Sequence, residues 1–210
     1  MTKPSLLFDL DGTISDPIDG ISRSFNYALE AFGFEPLSIQ QISHFIGPPL
    51  DETFNLVTGD TSITTDIIAK YRERFSEIGY SENKLYPGIR EAITWLSANK
   101  ISLGICTSKR KDFAQKILEM FDLNDKFAFI NGGDIGVKKY QQIESLLSEN
   151  LINHETLMIG DRAIDIISAH KNGLQSVGVL WGYGSKAELI TESPKHLLCQ
   201  PNELTSLVRP

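Results

Sequence analysis

The sequence predicts an α/β fold, a doubly wound parallel sheet with a small α-helical segment inserted after the first strand. Three observations predict it. Continuous apolar runs, such as Leu6-Leu7-Phe8 and Leu157-Met158-Ile159-Gly160, alternate with stretches of helical periodicity, as in parallel sheets covered on both faces. Between Pro17 and Gly79 the apolar residues recur only at helical spacing, and no run reads as a strand. Several strands also end in polar residues: Asp9 and Asp11 after the first, Thr107-Ser108 after the second, and Asp161 after the fourth, with Asp165 one helical turn later. The carboxyl ends of the strands are where such sheets hold ligands.

In chain order, Leu6-Leu7-Phe8 is the first strand, and Gly12 ends the stretch that follows it. Pro17 suits a helix start, and Ile18, Ile21, Phe25, Ala28, Leu29 and Phe32 mark one helical face up to Gly33. A shorter helix is expected over 38–45, broken by Gly47-Pro48-Pro49 and resumed over 50–57. After Gly59-Asp60-Thr61, residues 63–78 read as an amphipathic helix with Ile67, Ile68, Tyr71, Phe75 and Ile78 on one face. Tyr86-Pro87-Gly88 is a turn, and the rhythm then becomes α/β. Helices are expected over 89–98, 111–120, 140–150 and 163–171, and strands over 101–107, 127–130, 157–160, 176–180 and 196–199. Asn172-Gly173 stops the last of these helices. The expected division is a core of residues 1–14 and 82–210, with a helical cap over 15–81.

The chain has 210 residues, 41% of them hydrophobic, enough for one substantial core and a smaller second unit. A net charge of -7 argues against nucleic acid or an anionic membrane as partner, since both call for a basic face. Cys106 and Cys199 lie far apart in apolar stretches and read as buried free thiols of a reducing compartment. Met1-Thr2-Lys3-Pro4 leads into the first strand without the apolar region of a signal peptide. No apolar run approaches the ~20 residues of a membrane span. A cytoplasmic monomer or homodimer is expected. The four histidines, His44, His154, His170 and His196, are isolated and read as structural or surface residues.

Asp9 and Asp11 carry the chemistry. Residues i and i+2 of an extended chain point to the same side, so both carboxylates leave the strand end together. Two adjacent carboxylates repel unless a cation or a shared proton relieves them, and Mg²⁺ is the foremost candidate cation. A carboxylate can also act as a nucleophile, with its neighbour as general acid and base.

Four marks together resemble the haloacid dehalogenase superfamily of phosphohydrolases. They are Asp9-Leu10-Asp11-Gly12-Thr13, Thr107-Ser108 after an apolar strand, a lysine before a helix at Lys138-Lys139, and Gly160-Asp161-Arg162-Ala163-Ile164-Asp165. The resemblance spans essentially the whole chain. Phe45-Ile46-Gly47-Pro48-Pro49-Leu50, Thr107-Ser108-Lys109 and Val179-Leu180-Trp181-Gly182-Tyr183-Gly184 suggest the phosphoglycolate phosphatase-like branch. The resemblance implies a haloacid dehalogenase-like Rossmannoid core. It also implies a Mg²⁺-dependent phosphomonoesterase that acts on a small-molecule phosphate ester through an aspartyl-phosphate. Asp9 would be the nucleophile and Asp11 the general acid and base. Thr107 and Ser108 would bind phosphate. Asp9, Asp161 and the main-chain carbonyl of Asp11 would hold the metal, with Asp165 supporting a metal-bound water or binding directly.

The family's usual Lys-Pro is absent here, so Lys138 and Lys139 both remain open. Lys139 lies four residues before Ile143 and eight before Leu147, which puts it on the buried side of the helix. Arg162 reads as a helix-start residue. The break in the helical insert nominates Ile46, Gly47 and Leu50 as readers of the substrate's non-phosphate end, expected to be small or weakly charged. The substrate stays open among phosphoglycolate, sugar phosphates and nucleoside 5′-monophosphates, and a sugar phosphomutase of the same fold is the rival activity.

Overall fold

The computed structural model describes residues 5–208; residues 1–4, read as the lead-in to the first strand, lie outside that range. Strand β1 (Ser5–Phe8) pairs in parallel with β4 (Ser102–Thr107) on one side and β6 (Leu157–Gly160) on the other. With β5 (Phe129–Gly132), β7 (Gln175–Val179) and β8 (His196–Leu198), the sheet order is β5-β4-β1-β6-β7-β8, all neighbours parallel. The chain winds outward from β1 through β4 to β5, then returns to the other flank of β1. Strand order therefore reverses at β1, and the crevice this opens lies at its carboxyl end.

The period-two alternation of β1 explains why its run is continuously apolar. Leu6 and Phe8 join the core formed with α5 (Ile89–Ala98) and α6 (Lys111–Met120), whereas Leu7 joins that formed with α7 (Lys139–Ser148) and α8 (Ala163–Lys171). All three side chains are buried, worth ~1.5–3 kcal/mol each by the usual transfer scale.

The insert holds α1 (Ile18–Ala31), α2 (Ile39–Ser43), α3 (Leu50–Thr58) and α4 (Thr64–Glu77). Its helices pack through aromatic rings: Phe25 of α1 stacks on Phe54 of α3 at 4.2 Å, and Phe54 meets Tyr71 of α4 edge-on at 6.2 Å. Phe75 then meets Phe113 of α6 edge-on at 5.1 Å. Ser38 caps α2 reciprocally with Gln41, the pattern that starts helices in this register.

Some elements depart from expectation. Ser15–Asp16 and Lys84–Leu85 form a two-stranded antiparallel pair, β2 and β3, which brings the two ends of the insert together. Two residues are too few to show any period. Also unexpected are α9 (Lys186–Thr191), started by the Ser185 hydroxyl accepting from the Glu188 N–H, and the 3₁₀ segment Pro201–Val208. Strand β5 begins at Phe129, because Phe127 closes a 3₁₀ turn over Asn124–Lys126 and sets its ring edge-on to Phe8. Cys106 is buried as expected, but Cys199 is exposed just beyond β8. No helix among the described residues is long and apolar enough to cross a membrane.

Candidate active site

The end of β1 is held against β6 by the Asp9 N–H, which donates to the Ile159 carbonyl at 2.9 Å. The chain then turns at Gly12, whose φ is +85°. A Cβ there would lie 2.2 Å from Asp161 Oδ2, so glycine is required both by backbone conformation and by the close approach of Asp161. Thr13 Oγ1 donates to Asp161 Oδ1 at 3.2 Å and the Tyr183 N–H donates to Oδ2 at 2.8 Å. Trp181 Nε1 donates to the Thr13 carbonyl at 2.9 Å, joining the loop after β7 to the loop after β1.

Lys139, the first residue of α7, is buried with its Nζ 3.1 Å from Asp9 Oδ2 and 2.5 Å from Asp165 Oδ1. Burial alone would push its pKa down; Asp165 and Asp9 outweigh that, and the net direction is upward. Lys138 lies outside this centre, half exposed and paired with Glu52 of α3. Asp165 Oδ2 accepts from the Arg162 N–H at 3.0 Å, so both oxygens of Asp165 are engaged.

Carboxylate oxygens of Asp9, Asp161 and Asp165 all lie within 4.8 Å of one another in buried surroundings. Burial first, then the Asp165 and Asp9 charges, pushes the Asp161 carboxyl up to about 8. Asp9 Oδ1 is buried and has no hydrogen-bond partner. Three clustered carboxylates, one of them with an unpartnered oxygen, are a donor set for a hard divalent cation, so the residues fit Mg²⁺. The Asp11 side chain is not part of that cluster. Its Oδ2 pairs with Lys109 Nζ at 2.7 Å, and burial raises its pKa against the lowering effect of Lys109. Any part Asp11 takes in the expected metal set is through its main chain.

Thr107 and Ser108 stand at the end of the adjacent strand β4. The Thr107 carbonyl accepts from Gln142 Nε2 at 3.1 Å and its Oγ1 from the Lys109 N–H at 3.2 Å. Both residues line a cavity that is also lined by Asp9 and Asp11 and by Ile46, Gly47 and Leu50 of the insert. The cavity thus gathers Asp9, Asp11, Thr107, Ser108, Ile46, Gly47 and Leu50, while Lys139, Asp161 and Asp165 do not line it and cluster with Asp9.

Three features escaped the sequence reading. Lys109 is the cation beside Asp11; its position directly after Thr107-Ser108 was the available signal. Asp51 lines the same cavity. Arg162 is more than a helix-start residue: Nε pairs with Glu188 at 2.9 Å, and Nη1 donates to the carbonyls of Ile46 and His44. Gly47 fits under this bridge, with φ +112° and Arg162 Cγ only 2.9 Å from where a Cβ would stand.

A parallel α/β sheet with clustered carboxylates, a buried lysine and hydroxyl groups at its strand ends is a site suited to phosphoryl-group chemistry. The chain belongs to the haloacid dehalogenase-like hydrolase family, whose model matches residues 6–179. It is 38% identical to a 5′-nucleotidase of Pseudomonas aeruginosa over 92% of this chain and 90% of that one. Tyrosine-protein kinase PtkA of Mycobacterium tuberculosis is 32% identical over 90% of this chain and 65% of its own length. A phosphoglycolate phosphatase of Vibrio parahaemolyticus is 26% identical over 97% of this chain and 95% of that one. The crystal structure of a predicted phosphatase from Clostridium acetobutylicum superposes with a TM-score of 0.93 at 33% identity, covering 99% of each chain. Family and relatives make the chain a phosphoric monoester hydrolase.

Proposed function

We propose that the protein is a Mg²⁺-dependent phosphomonoesterase that hydrolyses a small phosphorylated metabolite through an aspartyl-phosphate at Asp9, in a cytoplasmic setting that suits its free thiols. The observation that carries this reading is Asp9 itself. Lys139 holds one oxygen, the other is buried and unpartnered, and the carboxylate clusters with those of Asp161 and Asp165. The Asp9 carboxylate attacks phosphorus as the bond to the leaving oxygen breaks. Asp11, with its raised pKa, gives that oxygen a proton. Asp11 then takes a proton from water, which attacks the acyl phosphate and frees phosphate and Asp9. Lys139, Thr107 and Ser108 serve the phosphate oxygens. Asp9, Asp161 and the Asp11 main chain would hold Mg²⁺ with Asp165 behind them, and the ion supplies charge neutralisation when bound. On this reading residues 15–81 form a cap over the core of 1–14 and 82–210, and residues 46–50 face the leaving group.

Phosphate release from a metabolite panel, with Mg²⁺ and then with EDTA, tests the proposal. Activity is expected only with Mg²⁺. Saturating Mg²⁺ at 100 times its Kd should also stabilise the native state by ~2.7 kcal/mol, a rise of several degrees in Tm. Full activity and an unchanged Tm after EDTA treatment would remove the metal from the mechanism. Phosphate release without a bisphosphate activator would set the phosphomutase reading aside. Among substrates, the 38% identity to a 5′-nucleotidase favours nucleoside 5′-monophosphates over phosphoglycolate.

Arg162 supports the cap reading, because its guanidinium joins α8 of the core to the turn at Ile46. Arg162→Ala is expected to raise KM about tenfold or more for a metabolite substrate while lowering kcat less. Equal losses in kcat and kcat/KM, with KM constant, would assign Arg162 to the chemical step instead.

A further inference from the structure

We propose that Asp51 reads the leaving group, its carboxylate accepting a hydrogen bond from an uncharged, donor-bearing leaving group such as a nucleoside and repelling one that carries its own carboxylate. The inference rests on the phosphomonoesterase reading above and concerns only which ester is taken.

Asp51 Oδ1 is buried and has no hydrogen-bond partner. Two other such atoms belong to residues of the same cavity, Asp9 Oδ1 and Asp11 Oδ1, both at its reactive end. An unpartnered buried acceptor costs about 1–3 kcal/mol and persists where a ligand completes it. Asp51 lines the cavity from the first turn of α3, and the apolar residues Ile46 and Leu50 line it too.

Asp51 is not a helix cap. The turn starts at Pro49 without a side-chain cap, and Asp51 Oδ1 accepts from no N–H there. Glu52 places a second acid in the same turn and reaches outward to Lys138.

The charges around the cavity give the selection its sign. Its three cations are already paired: Lys109 with Asp11 at 2.7 Å, Arg72 with Asp134 at 3.1 Å, and Arg110 with Asp112 at 2.5 Å. A leaving-group carboxylate meets no free cation among them and meets instead the carboxylate of Asp51 on the cavity lining. A hydroxyl or ring N–H on a neutral leaving group supplies the missing donor, and Phe45 and Ile46 offer apolar contact to its flat body. A site built around a buried acceptor discriminates strongly against ligands that leave it unpaired.

The test begins with wild-type enzyme, Mg²⁺ and p-nitrophenyl phosphate. No phosphate release there refutes the phosphomonoesterase reading itself, whatever Asp51 does. With activity established, kcat/KM is measured for adenosine 5′-monophosphate, phosphoglycolate and p-nitrophenyl phosphate in wild type, Asp51→Ala and Asp51→Asn. Wild type is expected to favour adenosine 5′-monophosphate over phosphoglycolate. In Asp51→Ala that preference should fall roughly 10- to 100-fold, the value of a hydrogen bond to a charged group, chiefly through KM. Asp51→Asn keeps an acceptor without the charge; it should retain more nucleotide activity than Asp51→Ala and gain on phosphoglycolate. If Asp51→Ala does not fold, judged by its melting transition, the asparagine variant alone decides. A wild-type preference for phosphoglycolate, turnover of the aryl ester alone, or a substrate ratio that stays constant in both variants would overturn the proposal.

Discussion

Asp9→Asn is expected to abolish phosphate release, by roughly 10³- to 10⁶-fold in kcat, the range seen when a covalent nucleophile is removed. The amide is nearly isosteric, so Lys139, Asp161 and Asp165 keep their places, but it cannot form the acyl phosphate. The companion change Asp11→Asn is expected to behave differently. It leaves the nucleophile intact and removes the proton donor and the base that activates water. A leaving group that departs unaided, such as p-nitrophenolate, should still phosphorylate Asp9, and the phospho-enzyme should then accumulate. Acid quenching with ³²P-labelled substrate, followed by measurement of protein-bound label, distinguishes the two: label on Asp11→Asn, none on Asp9→Asn. Wild-type turnover by Asp9→Asn would remove the aspartyl-phosphate from the mechanism.

Lys139→Ala is expected to produce the other large effect, in stability as well as rate. Its ammonium lies between Asp9 and Asp165, all three fully buried. Removing one partner of a buried ion pair leaves uncompensated charge, costing on the order of 3 kcal/mol. For a chain of this size that is a fall of roughly 6–12 °C in the Tm of metal-free protein. Added Mg²⁺ should recover part of the loss, because it places positive charge in the same cluster. Turnover should fall at least about 100-fold, since charge at the phosphate and at Asp9 then goes unneutralised. Lys138→Ala is the control. Its partner Glu52 is half exposed, and surface pairs contribute little, so Tm should move by no more than about 1–2 °C. If the two variants melt alike, the burial of Lys139 has been misjudged; if Lys138→Ala loses more turnover, the lysine roles are reversed.

The alternation of strands and helices was legible because it is a local property. A run such as Leu157-Met158-Ile159 is apolar at every position since both faces of β6 are covered, and that pattern needs no knowledge of which strand lies alongside. The candidate acidic residues were legible for a related reason. Asp9 follows β1 directly, and Asp161 and Asp165 follow β6, so an extended strand with a polar end announces them. The 3.6-residue period also distinguished Lys139 from Lys138, because one belongs to the inner face of α7 and the other stands at its outer edge. Short elements such as β2, β3 and α9 left no period to read.

Tertiary structure alone decided the partnerships. The reversal of strand order at β1 puts β4 and β6 on its two flanks, although they lie far along the chain. Only that arrangement sets Asp161 against Asp9 and Lys109 against Asp11. Arg162 carries the signature of a helix start, yet its guanidinium reaches carbonyls of the insert more than a hundred positions earlier. The buried, unpartnered oxygen of Asp51 is of the same kind, since an aspartate in the first turn of a helix reads as an ordinary dipole-stabilising residue. Periodicity records which side of an element is buried; it carries no information about what waits there, because the partner's identity depends on how distant segments pack.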